Sequence, residues 1–188
     1  TKTFYDGMSD DLLTEPLEIT GGELAETIRA DLTQALTGEA DYNKVFTTNG
    51  IASTIATIVA AVLGYRDLIN LSQAQVEKIK RAHLLLAMFN AWQPGVFALS
   101  GWDLCGLLTL ERSKIARLLA SGDTRWIHRA AYDLMNYQPG ATESPSRMPR
   151  GTSLYGSLPE QLKDPTSFAS RLREMLALRT RYRIATSL

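Results

Sequence analysis

The sequence predicts a mainly α-helical chain with one short β-strand, and three observations support this prediction. Helix-start patterns recur along the 188 residues, apolar residues follow them at helical spacing, and one five-residue apolar run follows a Pro-Gly break. Apolar residues make up 45% of the chain and charged residues 21%, as in ordinary globular domains. A chain of this length can form one domain with its own core.

Two capping-box patterns mark helix starts. T-G-G-E at residues 20–23 predicts a helix to about Leu36, and S-Q-A-Q at residues 72–75 predicts a long helix to about Phe89. The second half of the long helix is apolar on every side, which indicates deep burial of its C-terminal end.

Further helices are expected from apolar spacing and caps. Residues 49–65 are predicted to contain a buried helix whose apolar core, about 13 residues, is too short to span a bilayer. Residues 110–120 and the stretch after Asp123 predict two shorter helices, and Asp164-Pro165 predicts the start of the last one. The segments 1–48 and 137–157 are expected to be loop-rich insertions.

The predicted strand covers about residues 95–99, G-V-F-A-L. A single strand leaves its backbone groups unpaired, so it needs partner strands. These are either weak candidates within the chain, at 45–48 and in the tail 183–188, or they lie outside the 188 residues, which we favour. A helix that leads into an apolar strand is typical of a parallel sheet or a (β/α)₈ barrel, whose active face lies at the strand ends.

Gly101, Trp102 and Asp103 follow this strand, where such a barrel presents ligand-binding groups. Glycine lets the backbone turn, tryptophan offers a flat apolar face, and a carboxylate accepts hydrogen bonds from hydroxyl groups. This combination suits a sugar. The alternative is a structural turn in which Asp103 caps the next segment.

Charge and cysteine content exclude several classes of function. Lys and Arg total 20 and Asp and Glu total 20, so nothing steers the chain toward nucleic acid or an anionic membrane. Cys105 is the only cysteine, which fits a reducing, cytoplasmic compartment and excludes an internal disulfide or a multi-cysteine zinc site. We expect no metal and no cofactor, an inert buried thiol at Cys105, and a hydrogen-bonded structural histidine at His83.

Several blocks resemble glycoside hydrolase family 13, the α-amylase superfamily. HLLLAMFNAWQPGVFALSGWDLCG resembles its last barrel helix and eighth strand, and LKDPTSFASRLREMLALRTRY is similar to a helix near the end of its barrel. TNGIASTIA, NAWQPGVFALSGWDL, GDTRWIHRAAYDL and LPEQLKDPTSFASRL look like the trehalose synthase-like branch. The blocks cover most of residues 47–180. Residues 1–188 would then be a single segment, the C-terminal section of one catalytic (β/α)₈ TIM barrel domain.

The resemblance implies a parent enzyme with retaining chemistry on α-glucosides. The reaction would be trehalose synthase-like, maltose to trehalose by intramolecular glucosyl transfer, or α-amylase-like, and the partners would be maltose, trehalose or other α-glucosides and the remainder of the barrel. The family's three catalytic carboxylates lie N-terminal to the matched segment, so we expect no catalytic residue in this chain and no activity from it alone. The candidate substrate-binding residues are Gly101, Trp102, Asp103, Arg125, Trp126 and Asn49.

Each of the other site candidates also has a purely structural explanation. Asp123 is also a natural helix cap with Trp126 packed behind it, and Asn49-Gly50 is also a natural turn. Two other functions stay open: a self-contained helical binding or dimerisation domain without catalysis, and a different enzyme that binds an anionic substrate through Arg125 and the 137–157 loop. S-R-M-P-R-G-T-S in that loop does not have the spacing of a phosphate-binding loop.

Overall fold

A computed structural model describes residues 20–36, 46–47, 50–51 and 53–187, and this part of the chain is mainly helical, as predicted. Three 3₁₀ turns and one two-stranded antiparallel pair complete the described elements. The α-helices are α1 (Gly21–Leu36), α2 (Ile55–Val62), α3 (Gln73–Ala91), α4 (Gly101–Leu104), α5 (Ala116–Leu119), α6 (Leu158–Gln161) and α7 (Phe168–Arg181). The strands are β1 (Phe46–Thr47) and β2 (Gly50–Ile51), and the 3₁₀ turns are Arg112–Ile115, Thr124–His128 and Ile184–Thr186.

The helix starts predicted from the two capping boxes are confirmed. At α1, the Thr20 backbone N–H donates to Glu23 Oε2 at 2.7 Å, and the Glu23 N–H donates to Thr20 Oγ1 at 3.3 Å. At α3, Ser72 and Gln75 form the same reciprocal pair, at 2.8 and 3.3 Å. Each box satisfies backbone donors that the first helical turn leaves free, which is why these boundaries can be recognised locally.

Helix α3 is the central element, because it packs against both α2 and α7. Ile79 faces the α2 side, and Ala87 and Ala91 face the α7 side, where the fully buried Phe168 ring lies. A third apolar cluster forms around Cys105 and Leu107, in the irregular region that follows α4. Two of the three clusters reach α4, since Trp102 packs against the third cluster and Leu104 packs against the cluster on the α7 side.

The strand predicted at 95–99 is wrong, because these residues form no strand. Strands β1 and β2 pair with each other, and no described strand lies beside residues 95–99. The Arg179 guanidinium instead donates hydrogen bonds to the carbonyl oxygens of Ala91, Gln93 and Gly95. The Gly95 N–H donates to Ala185 O at 2.9 Å. A side chain and the tail thus bind the backbone at Gly95, the first residue of the predicted strand.

The predicted helix at 110–120 is shorter and less regular than expected, and only the 3₁₀ turn Thr124–His128 follows Asp123. The last helix begins at Phe168 rather than at Asp164. Ser167 is its N-cap, with Ser167 Oγ accepting from the Ser170 N–H at 3.2 Å. The Asp164 carboxylate accepts from Thr166 and closes the preceding turn.

The predicted burial of the C-terminal end of α3 is confirmed only on the side of Ala87 and Ala91. Leu85, Leu86 and Phe89 are exposed, and so are Trp92 and Val96 just beyond the helix. We call these five residues the apolar face. None of the helices in the described part of the chain combines the length and hydropathy needed to cross a membrane. Residues 137–157 contain no helix and no strand.

Candidate functional site

Helix α4 holds the first three candidate residues in a single turn. The Asp103 N–H donates to Ser100 O at 3.0 Å, and the Leu107 N–H donates to Trp102 O at 3.0 Å, so the turn is closed on both sides. A Cβ added to Gly101 would lie 2.7 Å from the Tyr132 hydroxyl oxygen, closer than atoms in contact can approach. Glycine at this position therefore lets Tyr132 lie over the start of the turn.

Asp103 is buried, with 5% of its surface exposed, and it faces α3 rather than solvent. Its Oδ1 lies 3.7 Å from His83 Nε2, too far for a hydrogen bond, and no described residue donates to that oxygen. Burial raises the pKa of Asp103 to about 6. Burial also lowers the pKa of His83 to about 4, so at neutral pH a carboxylate lies beside an uncharged imidazole.

His83 is held from its other side by Tyr155, since His83 Nδ1 lies 3.0 Å from the tyrosine hydroxyl. The Phe168 ring covers the imidazole, with ring centroids 4.7 Å apart. Burial raises the pKa of the Tyr155 phenol. His83 is buried and hydrogen-bonded, as expected, and its structural role stays a prediction.

Asp123 organises the second candidate segment. Its Oδ1 accepts from the Arg125 N–H at 3.0 Å and starts the 3₁₀ turn, as the capping alternative predicts. The carboxylate also accepts from the Arg125 guanidinium, at 2.8 Å from Nε and 2.9 Å from Nη2. These bonds lower the pKa of Asp123 to about 2. The charged group of Arg125 is thus paired with Asp123, although more than half of the side chain is exposed.

The fold brings the two segments together. Trp102 and Trp126 pack against the same apolar cluster, and the Trp102 and His128 rings lie 6.1 Å apart. Arg129 lies over the Trp126 ring, 4.8 Å from its centroid. We call the group Trp102, Asp103, Trp126 and His128 the Trp102 site.

Two buried side-chain polar atoms in the described part of the chain have no hydrogen-bond partner, and both belong to the Trp102 site. They are Asp103 Oδ1 and His128 Nδ1. Burial lowers the pKa of His128. Buried polar groups in folded proteins almost always have a partner, so these two unpaired atoms are the unusual feature of the Trp102 site.

Of the six sequence candidates, Gly101, Trp102, Asp103 and Trp126 lie in or beside the Trp102 site. Arg125 is at the surface, bound to Asp123. Asn49 lies outside the described residues. His83, Tyr155 and His128 were not among the candidates. His83 and Tyr155 are 72 residues apart, and no local pattern signals such a pair.

Metal chemistry has no support in the described residues, where no group of three or more His, Cys, Asp or Glu side chains could hold a metal ion. Cys105 is buried and forms no disulfide, and burial raises the pKa of its thiol. A thiol in that state is a weak nucleophile, which agrees with the expected inert role.

Comparison of this chain with models of known protein families, with curated proteins and with solved structures finds no match.

Proposed function

We propose that this chain is part of a retaining α-glucoside-active enzyme and that the Trp102 site forms one wall of its glucoside site. The observation that carries this proposal is the pair of buried, unpartnered atoms Asp103 Oδ1 and His128 Nδ1; Asp103 follows Trp102 in the chain, and the His128 ring lies 6.1 Å from the Trp102 ring. Both lie in segments that resemble the trehalose synthase-like branch of the α-amylase superfamily. The resemblance favours conversion of maltose to trehalose, with α-amylase-like hydrolysis as the other outcome.

The groups of the site have distinct parts in sugar binding. The Asp103 carboxylate accepts a hydrogen bond from a sugar hydroxyl, and the neutral His128 ring donates or accepts one according to its tautomer. The indole of Trp102 packs against the apolar face of a glucose ring. His83 lies beside the Asp103 carboxylate, and Tyr155 holds the His83 ring from its other side.

The bond-breaking groups belong elsewhere in the proposed barrel. Retaining glycosidases need two carboxyl groups about 5 Å apart, one as nucleophile and one as acid and base. Asp103 is the only buried carboxylate among the described residues. The proposal therefore assigns this chain a binding role, with the nucleophile and the acid/base supplied by the rest of the enzyme.

The backbone of residues 96–99 gives a second line of support. Val96, Phe97, Ala98 and Leu99 make no backbone hydrogen bond to another described residue. An edge strand presents a row of backbone groups that a neighbouring strand can pair, and the proposed barrel would place residues 96–99 in that position. Barrel strands would pair these groups and would also cover the apolar face.

The test uses the native protein from the source cells, captured with an antibody raised against this chain. We expect an immunoblot band several times heavier than 20.8 kDa and, from the captured protein, conversion of maltose to trehalose or glucose followed by ¹H NMR. The 188-residue chain alone is expected to be inactive. A native band at 20.8 kDa, or a captured protein that leaves α-glucosides unchanged, would contradict the proposal.

A substitution of Trp102 tests whether the Trp102 site binds the substrate. Trp102→Leu in the native protein is expected to raise the KM for maltose roughly tenfold or more, because the sugar loses its apolar platform. Tyr182→Leu removes another aromatic side chain, largely exposed at the end of α7, and is expected to leave KM unchanged. Equal effects of the two variants would exclude Trp102 from the binding site.

A self-contained helical dimerisation domain is the second candidate, and the apolar face favours it. Leu85 and Phe89 are 59% and 63% exposed, and contiguous exposed apolar side chains of this kind mark interaction surfaces. A native band at 20.8 kDa, together with a dimer in light scattering that Phe89→Ser converts to a monomer, would support this candidate over the enzyme.

A further inference from the structure

A second concave surface lies outside the Trp102 site, in the irregular region before α6. It is a cleft of about 330 Å³ between residues 131–133 and the loop 137–150. This volume is at the small end of the range for ligand pockets, about 300–1,000 Å³, and suits a ligand of one or two hexose units. Its lining includes Tyr132, Asp133, Tyr137, Gln138, Glu143 and Arg150, and we call it the Tyr137 cleft.

The walls of the cleft are held in place before any ligand binds. Asp133 accepts from the backbone N–H groups of Tyr137 and Gln138, at 2.9 and 2.6 Å. Arg150 Nη1 donates to the carbonyl oxygens of Gln138, Pro139 and Ala141, at 2.8, 3.1 and 3.2 Å. A loop tied from both sides loses little entropy when a ligand binds, which favours affinity.

The groups that face the cleft are free for a ligand. Tyr137 is 81% exposed although its backbone is fixed, so its ring is an apolar platform that is open to solvent. The side chains of Tyr132, Gln138 and Glu143 make no hydrogen bond to another described residue. The cleft thus combines two aromatic rings with a free amide and a free carboxylate, which together can donate to and accept from hydroxyl groups.

An anionic ligand fits this cleft poorly. The hydrogen bonds from Gln138 and Tyr137 hold the pKa of Asp133 below its usual value, so Asp133 is charged at neutral pH. Glu143 adds a second carboxylate to the lining. Arg150 is the only Lys or Arg that lines the cleft, and its Nη1 donates hydrogen bonds to three loop carbonyl oxygens. An anion would meet two carboxylates against one cation already engaged by the loop.

We propose that the Tyr137 cleft binds a short neutral saccharide, stacked on Tyr137 and hydrogen-bonded through Glu143 and Gln138. The choice of an α-glucoside among neutral saccharides rests on the proposed function, whereas the cleft itself does not depend on it. Tyr132 lines the cleft with its ring and also lies over Gly101, at the start of the turn that carries Trp102. A saccharide in the cleft therefore lies beside the proposed glucoside site and extends its binding surface.

The test measures saturation-transfer NMR from the 188-residue chain to maltose. We expect transfer to the maltose ring protons, its loss in Tyr137→Ala, and a roughly tenfold rise in Kd in Glu143→Gln. The matched controls are Tyr182→Ala and Glu174→Gln, which change an exposed tyrosine and an exposed glutamate on or next to α7, and they should bind maltose like the parent chain. Circular dichroism verifies that each variant is folded.

Failure of this inference is distinguishable from failure of the proposed function. No transfer from the chain to maltose, equal transfer from the parent chain and Tyr137→Ala, or displacement of maltose by inorganic phosphate would each overturn the saccharide cleft. Maltose binding that depends on Tyr137, in a native protein that leaves α-glucosides unchanged, supports the cleft while the proposed enzyme fails. Turnover by the native protein with no effect of Tyr137→Ala on binding overturns the cleft alone.

Discussion

Replacing Asp103 with asparagine tests the electrostatics of the buried cluster directly. Asparagine keeps the shape and one acceptor oxygen but removes the charge. The pKa of Asp103 rises in the fold from its ordinary value of 3.8 to about 6 because of burial. That difference corresponds to about 3 kcal/mol by which the fold disfavours the ionised carboxylate.

The sign of the effect follows from the direction of this change. A group whose pKa is raised in the fold contributes stability below its unfolded pKa, and this contribution is lost as the pH rises through the folded value. Asp103 thus destabilises the native chain above about pH 6 relative to pH 4. His83 has the opposite dependence, because its pKa falls from 6.5 to about 4, so its contribution is present above pH 6.5 and lost on acidification. To first order, the His83 contribution cancels when the two proteins are compared at the same pH.

We therefore expect Asp103→Asn to match the native chain near pH 4 and to be more stable by about 3 kcal/mol at pH 8. The assay is urea unfolding across this pH range, followed by tryptophan fluorescence, which Trp102 beside the substituted residue makes sensitive. Glu174→Gln is the control, since it removes an exposed carboxylate paired with Arg171 and should change stability by less than about 0.5 kcal/mol at every pH. An Asp103→Asn variant that is less stable at pH 8 would refute the reasoning, because it would mean that the charged carboxylate is stabilised by a protonated His83.

Three further substitutions test the packing. Phe168→Ala removes a fully buried ring stacked against Tyr155, and should lower the free energy of unfolding in urea by about 3–5 kcal/mol; a loss below about 1 kcal/mol would contradict its place in the core. Arg179→Met leaves three carbonyl oxygens without their donor and should cost about 3 kcal/mol in the same assay, whereas the exposed Arg181→Met should change it by less than about 0.5 kcal/mol. Gly106→Ala places a Cβ 2.6 Å from the Tyr155 ring at a φ of +62°, and thermal unfolding should show a loss of about 1–3 kcal/mol; an unchanged Tm would show that the ring can move aside.

Features that depend on neighbours in sequence could be predicted from the sequence. The capping boxes at Thr20 and Ser72 each lie within four residues, and both helices begin where the patterns indicate. The candidate segments around Trp102 and Trp126 were also identified from neighbouring residues. In each, a turn or cap residue is followed within three positions by a tryptophan and a charged residue. Their meeting in one cluster is a tertiary fact that neither segment encodes alone.

Features that depend on distant residues could not be predicted. The Arg179 side chain reaches a carbonyl oxygen 88 residues earlier and binds the backbone at the start of the predicted strand. Nothing in the R-T-R-Y stretch distinguishes this buried arginine from its exposed neighbours. Likewise, His83 and Tyr155 meet across 72 residues, and only the fold shows that Asp103 turns toward them rather than toward solvent.

The two largest departures from the sequence predictions lie next to each other in the chain, and the two candidate functions account for them differently. Residues 95–99 were predicted to be a strand, and the backbone of residues 96–99 makes no hydrogen bond to another described residue. Leu85 and Phe89 were predicted to be buried and are exposed. Both features lie along the path from the end of α3 to α4. A second helical copy would cover the apolar side chains. The backbone groups of that copy, however, are already bonded within its own helices and would leave the backbone groups of residues 96–99 without partners. A sheet edge supplies apolar side chains and backbone partners together, so under the proposed function barrel strands would cover both features, whereas a helical dimer would cover only the apolar face.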